Sequence, residues 1–130
     1  GGDHAVLPAR VYALITENSL TPSDAVERGG SGALGVILLE ELGRIATRSG
    51  LQVSASEPGR VSQEPLATQV RARILLSGRY SELIAFFDEL SRSQSLVLVE
   101  RFVLTPGGEN DDLLELWVSR LYLKQAGPQQ

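Results

Sequence analysis

Residues 66–90 read LATQVRARILLSGRYSELIAFFDEL, and the fold can be worked out from this stretch. Apolar and polar side chains alternate from Leu66 to Leu76, which is the pattern of a β-strand with one buried and one solvated face. Gly78 ends the strand, and a helix begins within the next three residues. The apolar spacing predicts that this helix buries a stripe formed by Leu83, Ile84, Phe87 and Leu90.

A second helix is predicted over residues 33–49, upstream of that strand. Gly50 follows it and supplies a left-handed cap. A short strand over residues 51–56 comes next, and Pro58-Gly59 stops it, so that residues 57–65 form a polar loop. The apolar side chains of the helix recur at steps of three and four, as expected for a helix on a core: Leu34, Leu38, Leu42 and Ile45.

Two more strands complete the pattern. Residues 96–104 are apolar on both faces, residues 105–112 form a turn rich in Gly, Pro, Asn and Asp, and residues 113–124 form the last strand. The order helix, strand, strand, helix, strand, strand makes two units of similar length, 33–77 and 80–124. We expect both units to share one core that includes Leu42, Val70, Ile74, Leu83 and Phe87.

The economical arrangement of these elements is two helices on one face of a four-stranded antiparallel sheet. This is an α+β, ferredoxin-like fold, circularly permuted so that its first strand comes last (αββαββ). Residues 33–124 are predicted to form the domain. Residues 1–32 are predicted to be an N-terminal connector region, with a possible short helix or strand and a glycine-rich end, and residues 125–130 a disordered tail.

The composition favours a globular domain and argues against several classes of function. Hydrophobic residues make up 42% and charged residues 22% of the chain, which is enough apolar side chain for a core. The net charge of −4 argues against nucleic acid as a partner, because nucleic acid requires a basic surface. There is no cysteine, and His4 is the only histidine, so thiolate metal sites and the usual activated nucleophiles are missing.

The acidic pair Glu40-Glu41 is interpreted as the start of the solvated side of a helix, because a catalytic pair needs one carboxylate desolvated in a cleft. We therefore expect no catalytic residues, no metal and no cofactor, and we predict that the protein is not an enzyme.

One short motif, Gly30-Ser31-Gly32-Ala33-Leu34-Gly35, matches the dinucleotide pattern G-x-G-x-x-G. In dinucleotide sites such glycines let backbone amides approach a pyrophosphate at a helix N-terminus. The motif also requires an apolar strand directly before its first glycine, whereas residues 23–28 read SDAVER. We expect this segment to be a flexible connector that binds no nucleotide.

The strand over residues 96–104 is unusual because it is apolar on both faces, whereas a strand covered on one face should alternate apolar and polar side chains. Either both faces are covered by its own domain, or one face or edge meets a partner. In the permuted ferredoxin-like order the strands over 66–77 and 113–124 are central, and those over 51–56 and 96–104 are edges. The first edge ends at Pro58, which protects it, whereas the second is long and free of proline.

We hypothesise that this second edge, together with the neighbouring helix, forms a protein contact. The charged pair Glu100-Arg101 would set its register, because a slip of one residue turns every side chain to the other face. The predicted interaction residues are Leu96, Val97, Leu98, Val99, Glu100, Arg101 and Phe102.

Three stretches resemble a known family: LEELGRIATRSGLQV (39–53), VRARILLSGRYSELIAFFDEL (70–90) and LVLVERFVLTP (96–106). They are similar to the periplasmic domain of PilO and of its relative GspM, which belong to the inner-membrane assembly platforms of type IV pili and type II secretion systems. The resemblance covers residues 33–124 and leaves the choice between pilus and secretion open.

The resemblance implies a bitopic inner-membrane protein that holds this domain in the periplasm through an N-terminal helix outside the present sequence. It implies dimers, either with itself or with a PilN-like or GspL-like partner, and neither cofactor nor catalysis. We therefore predict a non-catalytic structural interaction domain of such a platform. The alternative is a small-ligand-sensing regulatory domain, since ferredoxin-like sheets also serve as sensors. Gly1 and Gly2 look like a cloning remnant, and we expect the chain to be part of a longer protein.

Overall fold

The computed structural model describes residues 8–19 and 32–124 of the chain. These residues form three helices and four strands in the order helix, helix, strand, strand, helix, strand, strand. The elements are α1 (Ala9–Asn18), α2 (Gly32–Arg48), β1 (Gln52–Gln63), β2 (Ala67–Gly78), α3 (Tyr80–Arg92), β3 (Val97–Thr105) and β4 (Asp112–Leu123).

The four strands form one antiparallel sheet in the order β1-β2-β4-β3. The central strands β2 and β4 pair without interruption from Ala67–Leu123 to Gly78–Asp112. The two units, α2-β1-β2 and α3-β3-β4, therefore meet along their last strands. This arrangement confirms the predicted α+β, permuted ferredoxin-like fold, with β1 and β3 at the edges.

The core lies between one face of the sheet and the helices α2 and α3. Every second residue of β2 from Val70 to Leu76 is buried, which confirms the predicted strand and its period. The opposite face of the sheet carries no helix among the described residues, so its side chains are mostly half-buried or exposed. The buried helix and strand residues form one cluster that includes Leu38, Leu42, Val70, Ile74, Leu83, Phe86, Leu116 and Val118.

The end of α2 explains how the chain turns into the sheet. Gly50 has a φ of +90°, the left-handed conformation that glycine adopts without strain. The Gly50 amide donates to the Thr47 carbonyl (3.0 Å) and the Leu51 amide to the Ala46 carbonyl (2.9 Å). This pair of bonds is the Schellman motif, and Leu51 is buried beside it, so the predicted glycine cap is confirmed.

The first edge strand is longer than predicted. β1 continues through Pro58, which pairs with Ala72, and ends only at Gln63. Proline is tolerated there because β1 is an edge strand, and a register shift between Pro58 and Val61 absorbs the irregularity. The predicted loop over 57–65 and the predicted end at Pro58 are therefore wrong. The true turn places Leu66 in solvent, 80% exposed, rather than on the buried face.

The register of α3 also differs from the prediction. Phe86 is fully buried and Phe87 only half-buried, while Ile84 is 49% exposed. The stripe that faces the core runs through Leu83, Phe86 and Leu90, which is rotated by one residue from the predicted stripe. The difference arises because two adjacent phenylalanines fit the apolar spacing equally well, and only the position of the sheet decides between them.

The predicted connector over residues 1–32 is described only in part. Residues 9–18 form α1, and Ser19 makes a single parallel bridge to Leu123. The predicted disordered tail, His4 and the first residues of the glycine motif lie outside the described residues.

Candidate protein-interaction site

The strand β3 lies at the edge of the sheet and pairs on one side only, with β4. A β-bulge interrupts the pairing between Val99 and Arg101, so that Glu100 is the extra residue. The bulge reverses the side-chain alternation halfway along the strand. That reversal is the structural reason why β3 reads as apolar on both faces.

The hydrogen bonds to β4 determine which backbone groups of β3 remain free for a partner. The Leu121 amide donates to the Leu96 carbonyl (3.1 Å), and in an antiparallel ladder every second residue bonds in this way. The β4 positions that bond to β3 are therefore 121, 119, 117, 115 and 113. The β3 residues that pair with these positions direct their backbone groups toward β4. The β3 residues between them direct their backbone groups away from the sheet, and these are Val97, Val99, Phe102 and Leu104.

The side chains of these four outward positions lie on the helix-covered face. Val97 and Val99 are half-buried and pack against the core. Phe102 is 59% exposed, and its ring packs edge-on against the Phe87 ring of α3, with 6.3 Å between the ring centroids. Leu104 is also exposed. An apolar strip therefore borders the free edge.

The helix α3 continues this strip. Tyr80, Ile84 and Phe87 follow one another at helical spacing on one side of α3. Phe87 contacts Phe102, so this side of the helix faces the β3 edge, and Tyr80 and Ile84 on it are exposed. We call the five residues Tyr80, Ile84, Phe87, Phe102 and Leu104 the edge strip.

The remaining predicted interaction residues lie on the open face of the sheet. Leu98 is 61% exposed. The Glu100 carboxylate lies 3.4 Å from the Arg71 guanidinium. The Arg101 guanidinium stacks over Trp117 at 4.4 Å from the ring centroid, a favourable cation–π geometry. Trp117 of β4 therefore lies on this open face and not in the core. Of the seven predicted residues, six belong to β3, and Leu96 immediately precedes it.

A buried polar network anchors the start of β3, and the sequence pattern did not reveal it. Asn18 is fully buried at the end of α1. Its amide nitrogen donates to the carbonyls of Leu14 and Gln94, both at 2.7 Å, and its Oδ1 accepts from the Leu96 amide at 2.9 Å. Arg120 of β4 donates to the same Oδ1 at 3.2 Å.

Arg120 extends this network to α2. Its guanidinium forms an ion pair with Glu41, and the two side chains are only 5% and 19% exposed. Glu41 is therefore not on the solvated side of its helix, and this part of the prediction is wrong. The physical reason is a charge partner 79 residues away in sequence, which the local pattern of α2 does not contain.

The described part of the glycine motif packs against the sheet. A Cβ atom added at Gly35 would lie 2.8 Å from the Pro58 Cβ, so glycine is needed here for the close approach of α2 to β1. The described residues contain no cluster of three or more side chains able to ligate a metal ion. Within that same part of the chain, none of the helices has the length and apolarity required to cross a membrane.

Comparison with known proteins places this fold in a family. Residues 26–113, more than half of the chain, match the family model described as type II secretion system (T2SS), protein M subtype b. The chain belongs to the type II secretion system protein M family, subtype b. A search of curated proteins found no match.

Solved structures share the fold of this protein M domain at low sequence identity. The type 4 fimbrial biogenesis protein PilO from Pseudomonas aeruginosa is 20% identical, with a TM-score of 0.60 over 85% of this chain and 76% of that chain. The core region of PilO from the type IV pilus system of the same organism is 19% identical, with a TM-score of 0.56 over 71% and 97%. A protein from Akkermansia muciniphila is 10% identical, with a TM-score of 0.65 over 92% and 74%.

These findings confirm the predicted resemblance to PilO and GspM. The protein M domain is therefore a component of a secretion or pilus assembly platform, and its family belongs to the inner-membrane platform proteins. The family description names the secretion branch, which the sequence pattern alone left open.

Proposed function

We propose that this domain is a non-catalytic structural module that binds another platform protein through the free edge of β3. The partner is a second copy of the chain or a PilN-like or GspL-like protein. The observation that carries the proposal is an edge strand of nine residues with outward backbone groups and exposed apolar side chains on both faces. Such an edge is a template for pairing with a further strand.

The opposite edge of the sheet is much less suited to strand pairing. Two register shifts interrupt β1, and Pro58 has no amide to donate. Its side chains are mostly polar, with sequence QVSASEPGRVSQ. Natural sheets protect their edges by such devices, whereas β3 carries the exposed residues Leu98 and Phe102.

The contact would combine backbone pairing with burial of the edge strip. A strand added along β3 would lie beside Phe102 and Leu104, under the exposed side of α3. Ile84 and Tyr80 would then be covered as well. Burial of apolar surface is worth roughly 25 cal/mol per Å², so covering the strip would favour association, and the backbone pairing would set the direction of the added strand.

The proposal also assigns the parts of the chain. Residues 33–124 would form the folded domain, residues 1–32 a connector and residues 125–130 a tail. The connector would lead to a membrane helix outside this sequence, and the domain would lie in the periplasm. Membership in a family of inner-membrane platform proteins supports the membrane helix and the periplasmic location.

The proposal is tested by proline substitution in the contact strand. The Val99 backbone is directed away from β4, so Val99→Pro removes an outward donor without breaking the ladder inside the sheet. We expect Val99→Pro to abolish association in sedimentation velocity, alone or mixed with a GspL-like periplasmic domain. Val99→Ala is the matched control, because it shortens the side chain and keeps the amide, and it should retain most of the association. Wild-type association by a folded Val99→Pro variant would show that the contact lies elsewhere.

A further inference from the structure

The free edge of β3 is complementary to itself. Its outward backbone groups fall at Val97, Val99, Phe102 and Leu104, a set that is symmetric about the midpoint between residues 100 and 101. The bulge makes this register unique, since without the extra residue the outward positions would follow one another at a constant spacing of two and every shift by two residues would match them again. A two-fold axis through the midpoint therefore places every outward position opposite another outward position of the second strand.

We propose that two copies of this chain pair along β3 in this single antiparallel register, forming a continuous eight-stranded sheet. The inference rests on the proposed function and chooses one of its two partners, a second copy of the chain. Two-fold interfaces are self-complementary, because each residue meets a different residue of the same surface. The register opposes Val97 to Leu104, Leu98 to Val103, Val99 to Phe102, and Glu100 to Arg101 of the second copy.

Each of these four cross-strand pairs is chemically matched. Val99 and Phe102 lie on the helix-covered face in both copies, and an aromatic residue opposite a β-branched one is a favourable pair. Leu98 and Val103 lie on the open face, where both are exposed in the single chain. Their side chains would cover each other in the dimer.

The charged pair gives the register its specificity. Glu100 and Arg101 are both exposed and lie on the open face, where they contact Arg71 and Trp117 of their own chain. In the proposed register each Glu100 meets the Arg101 of the second copy, twice per dimer. A shift by two residues would keep only one kind of outward pair, Val99 with Leu104 or Val97 with Phe102 depending on its direction, and would separate these charges. Exposed ion pairs add little stability, so their contribution is to select the register.

The positions of the two α3 helices are compatible with this register. Paired residues of adjacent strands share one face of a sheet, so both copies would place their α3 helices on the same side. The edge strip of one copy would then face the edge strip of the other across the two-fold axis. This arrangement covers Ile84 and Phe102, which are the most exposed apolar residues of α3 and β3 on that side apart from Tyr80.

Cysteine cross-linking tests the register directly, because the chain has no cysteine of its own. Leu98 and Val103 of two copies would form a pair without backbone hydrogen bonds, with Cα atoms about 4.5 Å apart. That distance is within the range of a disulfide, about 4.4–6.8 Å. The Leu98 residues of the two copies would instead be separated by about five residues along the strands, or roughly 16 Å.

We therefore expect Leu98→Cys and Val103→Cys to form a disulfide-linked dimer when the two variants are mixed and oxidised, and neither to do so alone. Ser54→Cys on β1 is the control and should not cross-link with either variant. Efficient cross-linking of one variant alone would overturn the register. An absence of cross-linking in the mixture would overturn it too, even if Val99→Pro still abolished binding to a platform partner, in which case the proposed function would stand.

Charge reversal provides a second, independent readout. Glu100→Arg gives each copy an arginine at both position 100 and position 101, next to the two-fold axis. Arg101→Glu gives each copy a glutamate at both positions. Each variant alone should self-associate about tenfold more weakly, because like charges meet. An equimolar mixture should recover wild-type association in sedimentation equilibrium, since opposite charges meet again. Unchanged self-association of the single variants, or no recovery in the mixture, would contradict the proposal.

Discussion

Replacing Arg120 by methionine should destabilise the domain strongly, because it leaves a buried charge without its partner. Arg120 is 5% exposed and pairs with Glu41, whose side chain is 19% exposed. The Glu41 Oε1 atom already has no hydrogen-bond partner among the described residues. In Arg120→Met the Glu41 carboxylate would keep its desolvation penalty and lose the compensating cation.

The expected loss in the free energy of unfolding follows from this burial. Removing one partner of a buried ion pair typically costs about 3–5 kcal/mol. We expect the lower end, about 3 kcal/mol, because Glu41 retains some access to water and Asn18 keeps its hydrogen bond from the Leu96 amide. The double variant Arg120→Met/Glu41→Leu removes both charges and fills the same space. It should recover most of the loss, since apolar replacements of buried ion pairs are often neutral or stabilising.

Urea unfolding followed by fluorescence measures these differences, because Trp117 is the only tryptophan of the chain. Arg48→Met is the control. It breaks the exposed pair with Glu89 (3.2 Å), whose side chains are 61% and 48% exposed, and should cost less than about 1 kcal/mol. The reasoning fails if Arg120→Met costs no more than Arg48→Met, or if the double variant is as unstable as Arg120→Met.

Two further predictions concern α3 and the glycine motif. Phe86→Ala should cost about 3–5 kcal/mol in urea unfolding, because Phe86 is fully buried, and Phe87→Ala should cost clearly less; equal losses would contradict the observed helix register. Calorimetric titration with NAD or ATP should show no binding, because Gly35 serves the contact with Pro58; micromolar binding that Gly32→Val abolishes would refute this.

Local periodicity was sufficient to predict most of the fold. The alternation in β2 and the helical spacing in α2 each report which face meets the core, and both were predicted correctly. Once four strands and two helices were assigned, the permuted ferredoxin-like order made β3 an edge, and the observed strand order confirms it.

The errors occurred where one local pattern is compatible with two structures. Pro58 ends a strand in most contexts and is tolerated at an edge bulge, so the length of β1 depended on a sheet position not visible locally. The adjacent pair Phe86 and Phe87 is ambiguous for a similar reason. The bulge at Glu100 could not be predicted either, because an apolar run on both faces fits a covered strand as well as a bulged one.

The buried network was beyond sequence reasoning because each of its members has an ordinary local context. Glu41 follows another glutamate on a helix, Asn18 ends a short helix, and Arg120 alternates with apolar residues on a strand. Only the tertiary fold brings the three side chains together. Their hydrogen-bonding requirements, rather than any spacing, show that the arrangement is specific.

The same network determines how the contact edge should be tested. Asn18 Oδ1 accepts hydrogen bonds from both Arg120 and the Leu96 amide, and Leu96 directly precedes β3. A substitution at Arg120 would therefore disturb the start of the contact strand as well as the stability of the core. Loss of association in such a variant would not locate the interface. Val99, Glu100 and Arg101 lie outside the network, so substitutions there separate the contact from the stability of the fold.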